Sequence, residues 1–534
     1  MWNYINTHQT ACLVPISPFQ VTMDVHSHFR PSVLFVLVAA LGALACVSVR
    51  RYWIRRHFAA SYRCQPVARS LNREPFLGLD TIPGLLRAIR QHTLLERTCG
   101  YYRVYGNTFK LKELQRRAIL TIEPENIKTV LSLKFEDYGI SYRLDAFRPL
   151  LGEGIFDTDG DHWASSRALI RPSFARDQVA DLTTLEDLFQ DLLLLLPRDG
   201  ETIVDLMDLF FRYTIDSATE FLFGKSVGTL KKLIARSEDP DFAQAFHYAQ
   251  KAILTRGTLG FLNVFYRDRK AEECNRICRE FAQRAIEEAR HAVEVEKGNT
   301  KEFICGSARQ KHVFAQELAS RTTDKKRILD ESMNLLLAGR DTTASLLTNL
   351  FFMLAKNPEM WEKVRREVAV LEGRPPTYEE LRSFRYVHCC MNESLRLHPV
   401  VARNERMAVR DTVLPLGGGK DGLSPVLVTK GTTVSYNIYA MHRRRDLYGP
   451  DSEEFRPERW EDGKLQPRWG YLPFNGGPRI CIGQRYALTE VGYVLVRMAQ
   501  EFRTLESRNL ATWEESLALT LSSRDGAKVC LTPA

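Results

Sequence analysis

Cysteine is scarce in this sequence, which has 11 cysteines among 534 residues, an odd number that leaves at least one thiol unpaired. So low a content excludes a disulfide-stabilised mini-protein and indicates a reducing compartment. The closely spaced pairs Cys274 with Cys278 and Cys389 with Cys390 have no second pair or histidine cluster that would complete a zinc site. We therefore interpret both pairs as helix packing.

The sequence also lacks a large charge excess, an internal repeat and any low-complexity segment. Lys and Arg number 74 against 65 Asp and Glu, a formal charge of +9 at pH 7, and six of these arginines lie within residues 1–63. A nucleic-acid-binding protein more often spreads its basic excess over the folded domain, so the charge pattern argues against one. Hydrophobic residues make up 44% of the chain, which excludes a disordered protein and is enough for a large core.

One long hydrophobic run is present. Residues 32–49 contain no charge, and these 18 residues are just enough for a helix to span the ~30 Å hydrocarbon layer. Arginines, with Tyr52 and Trp53 among them, follow it directly, as is typical of the cytoplasmic end of a transmembrane helix. A cleaved signal peptide would carry its basic residues before the run, and a buried core helix is the other alternative. We predict a luminal segment (1–31), a single-pass transmembrane anchor (32–49), a basic linker (50–69) and a cytosolic domain (70–534).

Helical periodicity dominates residues 124–400, whereas short strands and turns follow residue 400. The glycine triplet at 417–419 is not followed by a helix in register, so we do not interpret it as a phosphate-binding loop. Residues 518–531 predict a terminal hairpin. The pattern as a whole predicts one large, mainly α domain with a minor β portion.

Residues 474–483 form the sharpest local feature, a loop of glycines and a proline that holds one cysteine and leads into a helical segment. Exposed amide groups and the positive end of a helix dipole favour the thiolate form of such a cysteine. A thiolate in this place is either a nucleophile or an axial ligand of iron. A nucleophile requires a histidine base, and neither His398 nor His442 lies in a recognisable pairing motif, so the iron interpretation is favoured. Arg479, two residues before Cys481, is placed to pair with an anionic group of the same ligand.

Five positions of this loop match the pattern F-x-x-G-x-R-x-C-x-G without a gap, which resembles the haem-binding signature of the haem-thiolate monooxygenases, the cytochrome P-450 family. The resemblance covers residues 70–534 and implies a haem b cofactor with Cys481 as the axial ligand of its iron. Such a thiolate pushes electron density onto the iron and favours O–O cleavage. The matching positions are Phe474, Gly477, Arg479, Cys481 and Gly483.

A second family motif contains Glu393 and Arg396, which are spaced i, i+3 and share one helix face. An ion pair at this spacing would be commonplace on a protein surface. Residues 455–460, FRPERW, resemble the P-E-R-F/W segment of the family, and the two matches together imply a Glu393–Arg396–Arg459 network. By this resemblance the network is structural and supports the loop that carries Cys481.

Residues 323–357 contain no proline and predict one long helix, with the segment AGRDTT at 338–343 in its middle. Glycine, aspartate and threonine are poor helix formers, and such a violation of propensity is expected at a functional site, although a tolerated polar patch is the alternative. The segment resembles the oxygen-activation motif of the family. The resemblance implies that Gly339 leaves room beside the haem, that Thr342 hydrogen-bonds dioxygen or a water, and that Asp341 relays protons.

Further matches concern the carboxylates of the haem, which arginine pairs bidentately. Trp163 and Arg167 resemble the W-x-x-x-R of the helix that flanks the haem. Arg406 falls where the family often has a propionate-binding arginine, with Arg403 as a close competitor. His442 is a further candidate, either for a propionate contact or for a structural hydrogen bond.

Longer segments, among them AGRDTT and the run 152–179, resemble the fungal alkane- and fatty-acid-hydroxylating group. This implies an enzyme of the endoplasmic reticulum membrane that acts on a long lipophilic substrate. Residues 400–409 are more charged than expected for a tunnel around a plain alkyl chain, so a tailoring oxidation of a polyketide or terpenoid in secondary metabolism is the alternative. A non-oxygenating haem-thiolate isomerase or dehydratase is a second alternative. The pair Asp341 and Thr342 argues against it, because such relatives usually lack the acid and the threonine.

The resemblance also implies a source of electrons. The 53 residues after Cys481 leave no room for a flavin domain, so we expect electrons from NADPH through a separate flavoprotein reductase. Arg444 and Arg445 are candidates for docking that reductase, with a solvated basic turn as the alternative. The expected reaction inserts one atom of O₂ into the substrate by hydroxylation or epoxidation, with the haem supplying the difficult chemistry.

Overall fold

The chain divides into two compact units, Met1–Phe58 and Ala59–Ala534. The predicted luminal segment lies outside the described residues, apart from Pro31. The computed structural model describes residues 31–70, 79–113, 116–236, 242–298 and 313–534.

Helix α1 (Pro31–Ser61) accounts for the described part of the first unit. Its apolar side chains, such as Leu41 and Leu44, are exposed. Among the described residues, no helix is long and apolar enough to cross a membrane. Because α1 continues through the arginines to Ser61, more than half of the predicted basic linker 50–69 is helical.

The second unit is mainly helical, as predicted, and its central element is α14 (Lys325–Lys356). This helix begins after Asp324, which accepts a hydrogen bond from the Arg327 amide at 3.0 Å, and it ends before Pro358. The helices that precede it are α2 (Ile82–Arg90), α3 (Leu94–Tyr105), α4 (Pro124–Lys128), α5 (Leu144–Leu151), α6 (Gly160–Ile170), α7 (Arg176–Val179), α8 (Thr183–Leu193), α9 (Leu206–Phe223), α10 (Thr229–Ile234), α11 (Phe242–Leu259), α12 (Arg269–Gly298) and α13 (Phe314–Arg321). Those that follow it are α15 (Pro358–Val368), α16 (Tyr378–Ser383), α17 (Arg385–Leu397), α18 (Ile438–Met441), α19 (Arg445–Tyr448) and α20 (Gln484–Glu501).

Short strands form the minor β portion. They are β1 (Ala68–Arg69), β2 (Thr108–Glu113), β3 (Arg116–Thr121), β4 (Tyr138–Gly139), β5 (Val204–Asp205), β6 (Arg403–Ala408), β7 (Thr412–Gly418), β8 (Ser424–Val428), β9 (Thr433–Asn437), β10 (Phe502–Ser507), β11 (Glu515–Leu517), β12 (Leu521–Ser523) and β13 (Lys528–Pro533). One sheet has the order β1-β2-β3-β9-β6-β4 and a second has the order β10-β13-β5. The pairs β7-β8 and β11-β12 are antiparallel.

The predicted terminal hairpin is wrong. Strand β13 pairs antiparallel with β10, and β12 pairs with β11 instead of with β13. Alternating hydrophobicity marks a strand and its buried face, but it does not select the partner strand. The hairpin that does form is β11-β12, and its connecting residues Leu519 and Thr520 line the cavity described below.

The core holds the motif-bearing helices together. Helix α9 packs along α14, where the rings of Phe210 and Phe351 lie 5.1 Å apart. Leu395 of α17 and Val494 of α20 belong to the same buried cluster. The three predicted motifs on α14, α17 and the loop before α20 are therefore held by one continuous core.

Candidate active site

A cavity of about 350 Å³ lies between α14, β6 and the loop that precedes α20. Its lining is largely apolar and includes Phe147, Phe221 and Leu335. Of the predicted catalytic and cofactor-binding residues, only Gly477 is missing from the lining. Those present are Trp163, Arg167, Gly339, Asp341, Thr342, Arg406, Phe474, Arg479, Cys481 and Gly483.

Cys481 lies in the loop between the 3₁₀ turn Gly477–Arg479 and α20. Its amide donates a hydrogen bond to the Phe474 carbonyl at 3.0 Å, which closes the loop on itself. The side chain lies deep in the protein yet keeps accessible surface, because that surface faces the cavity.

The protein environment alone does not stabilise the thiolate, contrary to the expectation from the helix dipole. Burial raises the pKa of the Cys481 thiol, and this effect outweighs the lowering by the Gly483 amide and by Arg167. A coordinated metal cation deprotonates a thiol outright. The site therefore favours the thiolate only together with a cation such as haem iron.

Gly477 shapes the loop from behind the cavity. Its φ is +70°, and an added Cβ would lie 1.9 Å from the carbonyl oxygen of Leu131. Both facts require glycine, because other residues rarely adopt this φ and no side chain fits against a backbone oxygen so close. An added Cβ at Gly483 would be 3.4 Å from the Phe174 ring, an ordinary contact. Steric contact and backbone φ therefore require glycine at position 477, whereas no such contact requires it at position 483.

Arg479 is held on the side of the loop that faces α6. Its Nη2 donates to Asp159 Oδ1 at 2.7 Å and to the Thr158 carbonyl at 2.8 Å. Its guanidinium carbon lies 4.3 Å from the centroid of the Trp163 ring. The sequence does not predict the Asp159 partner, because the two residues are 320 positions apart along the chain.

The geometry of β6 places Arg406, and not Arg403, at the cavity. Side chains alternate along β6. Asn404 and Arg406 therefore line the cavity, whereas Arg403 is exposed and does not belong to the cavity lining. Arg143, which the sequence reasoning did not find, lines the same part of the cavity and donates to Asn404 Oδ1 at 2.7 Å. No local pattern identifies it, since Arg143 reaches the site through contacts with β6.

The residues around the cavity fit the haem that the resemblance implies. Among the described residues, Arg479 is the only one of the four cavity-lining arginines that forms an ion pair with a carboxylate. Burial lowers the pKa of Arg167 and of Arg406, as expected for cations that lack a counter-charge. Buried charges are normally paired. The two propionates of a haem would supply the missing anions.

On α14 the motif residues line the opposite side of the cavity. The Thr342 hydroxyl donates to the Ala338 carbonyl at 2.6 Å, one helical turn back. Asp341 is 7% exposed and pairs with Arg340 at 2.8 Å, and burial raises the pKa of its carboxyl against the effect of that arginine. An added Cβ at Gly339 would meet the Ala218 Cβ of α9 at 3.3 Å, so this glycine also allows α9 to approach.

The predicted Glu393–Arg396–Arg459 network is present and fully buried. Glu393 pairs with Arg396 and with Arg459, each at 2.8 Å, and accepts a further bond from the Trp460 indole at 2.9 Å. Arg396 also donates to the carbonyls of Ser452 at 2.6 Å, Glu454 at 2.8 Å and His442 at 2.9 Å. None of the three network residues lines the cavity. They join α17 to the segment that leads to the cysteine loop.

His442 makes structural hydrogen bonds instead of lining the cavity. Its Nε2 accepts from the Leu472 amide at 2.9 Å, and its Nδ1 lies 3.1 Å from the Arg396 carbonyl, to which it donates. Burial lowers its pKa to about 3, so the ring is neutral. Arg444 pairs with Glu123 and Asp446 and is thus not a free basic group.

Comparison with known proteins decides the family. The family model described as Cytochrome P-450 matches residues 81–530. The chain belongs to the cytochrome P-450 family. It is therefore a haem-dependent monooxygenase, an oxidoreductase whose haem iron activates O₂ with electrons from a separate reductase, typically dependent on NADPH.

Fungal P-450 proteins are among its relatives. The cytochrome P-450 monooxygenase himC of Aspergillus japonicus is 46% identical over 510 residues, covering 94% of this chain and 90% of that protein. The cytochrome P-450 monooxygenase fsdH of Fusarium heterosporum is 46% identical over 509 residues, 94% and 88% of the two chains. Cytochrome P-450 52A10 of Candida maltosa is 42% identical over 442 residues, 79% and 83% of the two chains.

Proposed function

We propose that this P-450 hydroxylates or epoxidises a long lipophilic substrate, in the manner of the alkane and fatty-acid hydroxylases that its sequence resembles. The observation that carries the proposal is the apolar lining of the cavity beside the α14 motif, where Leu335, Val400, Val401 and Leu519 lie. An apolar wall binds an apolar substrate and excludes water from the reacting atoms.

The charged residues after Pro399 do not oppose a lipophilic substrate. Arg403 is exposed, and Glu405 accepts a hydrogen bond from the Tyr142 hydroxyl at 3.0 Å. Arg406 reaches the cavity beside Arg143, in the part that we assign to the haem carboxylates. The tailoring oxidation of a polyketide or terpenoid is the second candidate, since himC and fsdH match a larger share of this chain than the 52A10 protein does.

In this proposal Cys481 binds the haem iron, and Phe474, Gly477 and Gly483 shape its loop. Haem, when bound, supplies the oxygen chemistry. Arg167, Arg406 and Arg479, with Trp163, hold and orient the propionates. Gly339 would leave room for the haem. The Thr342 hydroxyl, which donates to the Ala338 carbonyl, would accept a hydrogen bond from a water in the cavity, and the Asp341 carboxyl would relay protons toward that water.

We further propose that the N-terminal helix attaches the enzyme to the endoplasmic reticulum membrane, with residues 32–49 as the anchor and the catalytic unit in the cytosol. The support is the uncharged run, the arginines after it and the exposed apolar side chains of α1. Basic residues on the cytoplasmic side of such a run set this orientation. A flavoprotein reductase of the same membrane is the proposed electron donor.

Stoichiometry tests the proposed function. The protein with an NADPH-dependent reductase is given a medium-chain alkane, a fatty acid or a terpenoid, and NADPH, O₂, peroxide and product are measured together. We expect one NADPH and one O₂ per oxygenated product with the alkane or fatty acid. Thr342→Ala is expected to keep consuming NADPH while much of the flux goes to peroxide. Product from the terpenoid alone would favour the tailoring role, and product without NADPH would favour an isomerase or dehydratase.

A further inference from the structure

Asp159 lies at the N-terminal end of α6, and the proposed function gives it no role. Aspartate is favoured at this position because its carboxylate usually accepts hydrogen bonds from the first amides of the helix. Here the carboxylate accepts none from the amides of α6, a helix that the structure describes in full. The side chain is turned away from its own helix, so helix capping does not explain this residue.

The carboxylate of Asp159 joins two other segments of the cavity wall. Its Oδ2 accepts hydrogen bonds from the Ile140 amide at 2.7 Å, from the Ser141 amide at 2.8 Å and from the Ser141 hydroxyl at 2.6 Å. Its Oδ1 accepts from Nη2 of Arg479 at 2.7 Å. Ile140 and Arg479 both line the cavity that holds Cys481. Asp159 therefore holds a cavity-lining arginine of the cysteine loop against the segment that follows β4.

Glycine at position 139 allows this close approach. An added Cβ at Gly139 would lie 2.6 Å from Asp159 Oδ2. In the pairing of β4 with β6, Gly139 lies opposite Met407, the neighbour of the cavity-lining Arg406. The carboxylate is thus fixed relative to β6 as well as to the cysteine loop.

The charges around Arg479 give this carboxylate an electrostatic effect. Burial lowers the pKa of Arg479, Asp159 raises it, and the three other cavity-lining arginines, Arg406, Arg143 and Arg167, lower it further. Burial also lowers the pKa of Arg406, and Asp159 again acts in the opposite direction. The side chain of Arg479 is only 8% exposed, so water screens its charge weakly. Asp159 thus offsets part of the positive charge that the haem propionates would meet.

We propose that Asp159 is a positioning residue for the haem that acts through Arg479. Held by Ile140 and Ser141, its carboxylate fixes the guanidinium in one orientation at the cavity wall, ready for a propionate. Its negative charge also disfavours the further negative charge that the haem gains when its ferric iron takes one electron from the reductase. No bond forms or breaks in this role. The inference rests on the proposed placement of a propionate beside Arg479.

The reduction potential of the haem protein tests the charge without turnover. Asp159→Asn keeps an oxygen that accepts from the Ile140 and Ser141 amides but removes the charge, so we expect the potential to rise. Asp159→Glu is expected to return it toward the parental value. Asp161→Asn is the matched control, because it removes one exposed charge from the first turn of the same helix and is expected to leave the potential unchanged. A parental potential in Asp159→Asn overturns the proposal.

The rate of haem transfer to apomyoglobin tests the positioning. Asp159→Asn is expected to speed the transfer by up to about tenfold, because a charged hydrogen bond no longer orients the guanidinium. With Arg479→Gln no guanidinium remains to be oriented, so adding Asp159→Asn to that variant is expected to give no further acceleration. An equal acceleration by Asp159→Asn in both backgrounds would show that the residue does not act through Arg479.

The single variant Arg479→Gln separates this inference from the proposed function. Parental haem transfer in Arg479→Gln would show that no propionate contacts this arginine, and both the proposed placement and the inference would fail. Faster transfer in Arg479→Gln with parental transfer in Asp159→Asn would overturn the role of Asp159 alone. If Asp159→Asn does not retain haem, Asp159→Glu is measured in its place. Parental transfer in the glutamate variant supports the proposal, whereas a glutamate variant without haem would make Asp159 a determinant of the fold and overturn it.

Discussion

The thiol of Cys481 differs from that of Cys278, which is buried in α12 away from the cavity. We expect Cys481→Ala and Cys481→His to abolish the red-shifted reduced carbon-monoxide band of a thiolate-ligated haem, because no other ligand donates electron density in the same way. Cys278→Ala is expected to keep the band. The absorption spectrum of the reduced carbon-monoxide complex is the measurement, and an intact band in either Cys481 variant would refute the ligand assignment.

Glu490 of α20 is buried, and burial raises the pKa of its carboxyl to about 7, which makes the stability of the fold depend on pH. Because its folded-state pKa of about 7 lies above the ordinary 4.5, the stabilisation of the neutral form is fully present below pH 4.5 and is lost as the pH rises to about 7. The free energy of unfolding should therefore fall by about 3 kcal/mol over this window through this group alone.

The variant Glu490→Gln does not titrate and is expected to lack this contribution. Urea unfolding of parent and variant at pH 5 and pH 8 measures the difference. A parental pH dependence in the variant would place the titration on another group. Burial raises the pKa of Asp157 to about 7 as well, so Asp157→Asn would then be the next variant to examine.

At the scale of the element, we predict opposite outcomes for alanine substitution of Gly477 and of Gly483 in the cysteine loop. Gly477→Ala places a Cβ 1.9 Å from the Leu131 carbonyl oxygen at a φ of +70°, so the loop must move. We expect at least about 2–3 kcal/mol of destabilisation and poor haem incorporation. Gly483→Ala meets the Phe174 ring at 3.4 Å and is expected to bind haem. Haem content per protein decides between them, and equal content in both variants would contradict the assigned roles.

The network around Glu393 is expected to be essential for the fold near the haem. Removal of Glu393 leaves the buried Arg396 without a carboxylate and Arg459 with Asp451 alone, which costs about 3–5 kcal/mol, so Glu393→Ala should prevent stable haem incorporation. Glu393→Gln is the milder variant if the alanine protein is not recovered.

The matched control for this network is the pair Arg176 with Glu379, whose side chains are 55% and 67% exposed. An exposed ion pair contributes about 0–1 kcal/mol, so Arg176→Ala should be close to the parent in haem content and in thermal unfolding. If Glu393→Gln also behaves like the parent, the network is dispensable.

At the scale of the whole molecule, the first 58 residues form a compact unit separate from the remaining chain. We expect a variant that lacks residues 1–58 to incorporate haem, since every residue assigned to the site lies in the second unit. We also expect much of it to leave the membrane fraction, because the uncharged run 32–49 is removed. Fractionation with the haem spectrum of each fraction measures both, and a variant as firmly membrane-bound as the parent would place the attachment elsewhere.

The sequence by itself determined the features whose geometry is local. The cysteine loop spans ten residues, and the i, i+3 spacing of Glu393 and Arg396 is set by the helix period, so their positions follow from the chain alone. The long proline-free run predicted α14 to within a few residues, and the mainly α character followed from periodicity. Such local features can be predicted without knowing which distant residues pack against them.

Only the tertiary structure decided which distant residues meet. It paired Arg479 with Asp159, brought Arg143 to β6, placed Arg406 instead of Arg403 at the cavity and gave β13 the partner β10 in place of β12. It also buried the carboxyl of Glu490 in α20, which no sequence motif predicts. The physical reason is the same in all of these cases. The burial of a side chain and the partner of a charge or strand depend on residues of other segments, which lie up to hundreds of positions away in the sequence.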